Sequence, residues 1–172
     1  MEKAIYLDIE LCVGCGACAV ACMDQNDIYP EKGQPAYRRI YAVEEGQSPN
    51  ARIHYISASC LHCQDSPCLT ACETGAITKC HETGAIKVDK DLCNGCHSCS
   101  TACPFGIPRY DLEEKMQKCN LCEERVEAGL KPACVKTCPM GALKYEAVNT
   151  TQKVKEVKFA GNIVNAAYRA AK

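Results

Sequence analysis

Sixteen of the 17 cysteines fall into four blocks, each with clustered cysteines and a last one three residues further on. The blocks are Cys12-x2-Cys15-x2-Cys18-x3-Cys22, Cys60-x2-Cys63-x4-Cys68-x3-Cys72, Cys93-x2-Cys96-x2-Cys99-x3-Cys103 and Cys119-x2-Cys122-x11-Cys134-x3-Cys138. Such spacing lets three thiolates hold three corners of one cubane iron–sulfur cluster, while the helical turn that follows carries the fourth to a neighbouring cube. Four blocks therefore predict two reciprocal pairs and four [4Fe-4S] clusters, with all sixteen cysteines as iron ligands. Zinc is the competing metal, but its sites usually take two separated Cys pairs. Cys103-Pro104 and Cys138-Pro139 carry the Cys-Pro ending of bacterial ferredoxin motifs.

The remaining composition fits a chain organised by sulfur. Cysteine is about a tenth of the 172 residues, Trp is absent, and Phe occurs only as Phe105 and Phe159. With so thin an organic core the cubes must serve as one, and the metal-free chain is expected to be largely unfolded. The formal charge of −1 becomes clearly acidic once roughly two negative charges are added per oxidised cluster. That disfavours nucleic acid and favours a protein partner with a basic rim. The first residues lack a basic-then-apolar signal pattern, and no apolar run approaches the roughly 18 residues of a membrane span. The expected setting is the cytoplasm, without direct membrane insertion, where a disulfide framework is disfavoured.

Gap lengths bear on which blocks pair. Blocks two and three are separated by residues 73–92, blocks three and four by 104–118, and blocks one and two by 23–59. The middle blocks read as one ferredoxin-like unit inserted into a second made by blocks one and four, although spacing alone leaves an in-order pairing open. The predicted fold class is α+β. An outer discontinuous unit covers 1–52 and 108–148, an inserted unit 53–107, and a tail 149–172. That tail carries a helix after Asn162, for docking on its own domain, on a partner or on another copy. On this pairing the ligand sets are Cys12, Cys15, Cys18 and Cys138; Cys119, Cys122, Cys134 and Cys22; Cys60, Cys63, Cys68 and Cys103; and Cys93, Cys96, Cys99 and Cys72. Tyr37–Val43 and Arg52–Ile56 alternate as strands and predict a hairpin over a cluster, with a loop at Glu44–Asn50. Thr74-Gly75-Ala76-Ile77, Thr83-Gly84-Ala85-Ile86 and Met140-Gly141-Ala142-Leu143 echo one another as turns that enter short strands.

Other residues carry weaker signals. Cys80 reads as a spare cysteine in a turn between strands. His54 lies close to a cluster loop; His62 and His97 occupy spacer positions of cysteine triples, where a ring can bond a sulfur or simply face solvent. Glu73, beside Cys72, should lower the potential of a neighbouring cluster. Lys115, Lys118, Arg125, Lys131 and Lys136 around block four read as a solvated face balanced by nearby glutamates, or as a docking surface. No Gly-rich phosphate loop, Ser/His/Asp set or flavin signature appears, and no catalytic residue for an organic substrate is expected.

The block order, with expanded second and fourth blocks, resembles the four-cluster electron-transfer subunits of the dimethyl sulfoxide reductase type. Cys103-Pro104-Phe105-Gly106-Ile107-Pro108-Arg109-Tyr110, Lys118-Cys119-Asn120-Leu121-Cys122 and Gly129-Leu130-Lys131-Pro132-Ala133-Cys134 carry the resemblance, which covers about residues 3–147. It implies pairing of blocks one with four and two with three. It also implies electron relay between a large molybdenum or tungsten pterin subunit and a second redox subunit, flavin-bearing or other. The chain's shortness resembles forms found with tungsten aldehyde oxidoreductases, the first expectation, and with formate dehydrogenases and hydrogenases. A freely diffusing polyferredoxin is the alternative.

Overall fold

Each cysteine block is a loop that cannot pack by itself, so short strands and helices gather around the loops. A computed structural model describes residues 2–148; the helix expected in the tail at 149–172 lies outside the described residues. In order, the elements are β1 (Lys3–Leu7), α1 (Ala17–Gln25), a 3-10 turn at Pro30–Lys32, β2 (Arg39–Glu45), β3 (Arg52–Ala58), α2 (Pro67–Thr70), β4 (Ile77–Lys79) and β5 (Ile86–Val88). There follow α3 (Ser98–Ala102), β6 (Arg109–Tyr110), β7 (Met116–Gln117), α4 (Glu123–Glu127), α5 (Ala133–Thr137) and β8 (Leu143–Ala147). The mixture of short helices and antiparallel strands agrees with the predicted α+β class.

The strands form two-stranded antiparallel sheets: β1 with β8, β2 with β3, β4 with β5 and β6 with β7. Leu7 stands opposite Leu143, so β1 is tied to β8, more than a hundred residues later in the sequence. Helix α1 packs on α5, and α2 packs on α3 and β4. Two small cores result. Cys18, Cys134, Val135 and Leu143 are buried with Ile5, Leu7, Ile40 and Tyr145 around them. Ile77, Ile86, Cys99 and Met116 are buried with Leu69, Val88 and Tyr110 around them.

The three echoes behave alike. Ala76, Ala85 and Ala142 are buried, and each precedes the first residue of a strand. The preceding glycines, Gly75, Gly84 and Gly141, have positive φ, which lets the backbone turn sharply into the strand. The hairpin over residues 39–58 also forms, with one correction. Glu44 and Glu45 pair with Ile53 and Arg52, so the connection is shorter than the expected Glu44–Asn50. Glu45 also reaches His54 at 3.6 Å across the hairpin, which rewards the longer ladder. Tyr37 and Arg38 lie before the strand, and Arg38 turns inward. Among the described residues no helix is long and apolar enough to cross a membrane.

Candidate iron–sulfur centres

One backbone feature recurs in every block. The residue before the second cysteine is left-handed: Gly14 (φ 67°), His62 (48°), Gly95 (72°) and Leu121 (62°). Two blocks use glycine; the other two hold side chains where L-residues rarely go. The turn directs N–H groups at sulfur. His62 N donates to Cys60 Sγ at 3.5 Å and Leu121 N to Cys119 Sγ at 3.4 Å. In blocks three and four the intervening asparagine braces the loop: Asn94 Oδ1 accepts from Cys96 N at 3.2 Å, and Asn120 Oδ1 from Cys122 N at 3.0 Å.

The sixteen cysteines gather as four sets. Cys12, Cys15, Cys18 and Cys138 line one hollow, partly open to solvent, together with Leu7, Ile40, Ser57 and Met140. Hairpin β2–β3 closes it from one side: Ser57 Oγ lies 3.3 Å from Cys18 Sγ, and the Tyr55 ring sits against Gly14. The hairpin expected over a cluster thus lies against the cysteines of block one. Cys22 lies with Cys119, Cys122 and Cys134. Burial pushes the Cys22 thiol far up, and the neighbouring thiolates of Cys119 and Cys134 add to it. Cys63 is pushed up to about 11 by burial and by Cys60, Cys103 and Cys68. For Cys99, burial raises the thiol, the Tyr110 hydroxyl at 3.3 Å opposes that, and Cys93 and Cys96 raise it again. The Cys96 thiol is lowered by Ser98, while Cys72 and Glu73 act against that. In each set the fourth cysteine lies beside three from another block: Cys138 with block one, Cys22 with block four, Cys103 with block two and Cys72 with block three.

The donor sets fit cubane clusters. Metal-free, the crowded thiols resist ionisation; iron supplies the positive charge that stabilises them as thiolates. Among the described residues no three His, Cys, Asp or Glu side chains close on a single ion; sulfurs at the corners of a cube stand wider apart. Two buried cations point the same way. Arg38 is 2 % exposed and Lys118 6 % exposed, and neither has a carboxylate partner among the described residues. A buried cation is tolerated only near negative charge, and cysteine sulfurs bear on both. Burial acts against the Arg38 charge, but Cys134, Cys119, Cys18 and Cys22 outweigh it and hold its pKa above the ordinary value.

The weaker signals sort differently. His97 does not reach sulfur: its ring stacks on Tyr110 at 3.7 Å and its Nε2 lies 2.8 Å from Glu114. His62 turns inward, accepts at Nδ1 from Ile86 N at 2.9 Å, and leaves Nε2 buried without a partner among the described residues. Cys80 caps the β4–β5 turn, its N–H donating to Ala85 O at 2.8 Å. The basic cluster is not one face: Lys131 and Lys136 are exposed, Lys115 donates to Cys93 O, and Lys118 is buried. Sequence reasoning missed Arg38 and the hydroxyls of Ser57, Thr74, Ser98 and Tyr110 beside ligand sulfurs. The one visible signal was the Cys-x-Ser/Thr spacing of Cys72 with Thr74 and Cys96 with Ser98.

The family described as "4Fe-4S dicluster domain" matches residues 51–148, and a second family of the same description matches 11–76. The sequence is 38% identical over 161 residues to one component of the anaerobic dimethyl sulfoxide reductase of Escherichia coli K12, covering 88% of this protein and 77% of that one. It is 38% identical over 167 residues to one component of the sulfite dehydrogenase of Allochromatium vinosum (86% and 70% covered). It is 37% identical over 163 residues to the nitrate-inducible formate dehydrogenase iron–sulfur subunit of Escherichia coli K12 (84% and 54%). Both domain matches follow the sequence and overlap at block two, so neither decides which blocks are partners in space.

Proposed function

The protein belongs to the iron–sulfur electron-transfer subunits of the dimethyl sulfoxide reductase type, and we propose that it relays single electrons between a molybdenum or tungsten pterin catalytic subunit and another redox subunit. Its cofactors are four [4Fe-4S] clusters, which supply one-electron exchange when bound. The sixteen cysteines, in the four sets given above, would hold them, with 53–107 inserted between the outer segments 1–52 and 108–148.

One observation carries this reading: the sets follow one another through the molecule, with an exposed ligand at either end. Cys15 and Cys96 are exposed, whereas Cys22, Cys119, Cys122 and Cys134 are buried. The first set touches the second electrostatically through Cys18 and Cys134, and the second touches the third through Cys119 and Cys60. The third and fourth would meet where α2 packs on α3, with the two blocks exchanging Cys72 and Cys103. The residues shield the middle and leave the ends within reach of partners.

Within this reading a tungsten aldehyde oxidoreductase is the first catalytic partner and a formate dehydrogenase or hydrogenase the second, in the cytoplasm, with a flavin-bearing or other redox subunit at the opposite end. Self-association through the tail is a further element. Anaerobic affinity purification from the native host at high salt tests it: a stoichiometric pterin-containing subunit supports the relay, and a strictly free protein with full iron favours a diffusing polyferredoxin. Ligand pairing has its own test. Replacing Cys22 and Cys134 together with Ala should remove about four iron atoms per molecule if they serve one cube, and about eight if blocks pair in order.

A further inference from the structure

Arg38 and Lys118 are buried cations with no carboxylate partner among the described residues. Arg38 donates from Nη1 to Ser57 O (3.2 Å) and Ser57 Oγ (2.9 Å) and from Nη2 to Ser59 Oγ (2.7 Å), and its Nε is buried without a partner among the described residues. All these acceptors are neutral. Ser57 Oγ also touches Cys18 Sγ, so the guanidinium is one hydroxyl away from the first set. Its charge also bears on Cys22, Cys119 and Cys134 of the second. Lys118 immediately precedes Cys119 and donates from Nζ to the carbonyls of Cys119 (3.0 Å) and Ile86. Its charge reaches Cys119 of the second set and Cys60 and Cys68 of the third. The fourth set has neither cation; there the part-buried Lys115 Nζ donates to the Cys93 carbonyl, and the Glu73 carboxylate bears on Cys96.

We propose that Arg38 and Lys118 are positioning charges at the two junctions around the second set, and that they make the cluster held by Cys22, Cys119, Cys122 and Cys134 the first of the four to accept an electron. The inference rests on the cluster assignment proposed above. Reduction of a cluster adds one electron and one negative charge, with no bond made or broken. A fixed cation nearby therefore favours the reduced form, and more strongly in a water-poor interior than at the surface. The second set alone is flanked by both cations and has four buried ligands. An electron entering at either exposed end would settle in the middle before moving on.

The test is a potentiometric EPR titration of the iron-replete full-length protein with dithionite and mediators. In the unaltered protein the first signal to appear should resist broadening by an added dysprosium chelate, since its cluster is buried. A strongly broadened first signal would place the first electron at a surface cluster and overturn the proposal. Arg38→Gln should shift the reduced-to-oxidised ratio of that cluster at least tenfold toward oxidised, which is 59 mV for one electron, and Arg38→Lys should recover most of it. Lys118→Gln gives an independent shift of the same sign should Arg38→Gln fail to assemble. Unchanged potentials in both glutamine variants, with about 16 iron atoms per molecule retained, would refute the tuning role and leave the relay intact. Fewer than four clusters in the unaltered protein would refute the relay's cluster assignment itself.

Discussion

A methyl group on Gly14 would fall 2.3 Å from Cδ1 of Tyr55, at a φ of 67°. Gly14→Ala should therefore cost about 2–4 kcal/mol, roughly 1 from the left-handed backbone and the rest from overpacking. The expected readout is a lowered Tm with iron lost from the first set. In a Tyr55→Ala background the same change should cost only the backbone part, so equal costs in both backgrounds would refute the clash. His62 occupies the equivalent backbone position in block two but serves differently, as the acceptor for Ile86 N–H. His62→Phe leaves that donor unpaired at about 1–3 kcal/mol, which faster hydrogen exchange of the Ile86 amide would report. Such contrasts mark what could be read in advance. The four cysteine blocks were legible as candidate ligands because cube geometry dictates such spacing within each block. The inward turn of His62, Arg38 and Lys118 was not, because a charged or polar side chain reads as solvent-facing until the anionic sulfur beside it is located by the fold.

At the level of elements, β1–β8 and α1–α5 join residues that are far apart in sequence, and both abut the first two ligand sets. Leu143 is 4% exposed and packs in the core with Cys18, Cys134 and Val135. Leu143→Ala should cost about 2–5 kcal/mol through the cavity it leaves. Thermal unfolding followed by iron absorbance should show the loss, with signals from the first and second clusters bleaching before the others. Simultaneous bleaching of all four would mean that the ends and the middle of the sequence do not unfold separately. The strands after Gly75, Gly84 and Gly141 were legible because a turn residue, a small residue and a branched one recur in that order. The two-residue strands β6 and β7 offered no such pattern; they exist because Asp111 gathers the backbone N–H groups of Glu113 and Lys115 (3.1 and 2.9 Å) and the Gln117 amide.

For the molecule as a whole, the two cores are too small to hold the described fold by apolar burial alone. Each centres on four buried residues, and three of those eight are candidate ligand cysteines. Conformational entropy costs about 1–2 kcal/mol per ordered residue, and apolar burial returns about 25 cal/mol per Å². A protein with so few large side chains inside must draw the difference from iron–thiolate bonds. Without iron the buried thiols of the second set also crowd one another, and Arg38 and Lys118 lose the anions that make their burial tolerable. Anaerobic removal of iron with a chelator under reducing conditions should therefore abolish cooperative unfolding. The radius of gyration should rise from about 16 Å toward about 44 Å, the scaling limits for folded and unfolded polypeptides of this length. Reconstitution with iron and sulfide should reverse both changes. A metal-free form that stays compact with a sharp thermal transition would show that polypeptide packing suffices, and would leave the buried cations needing another counter-charge.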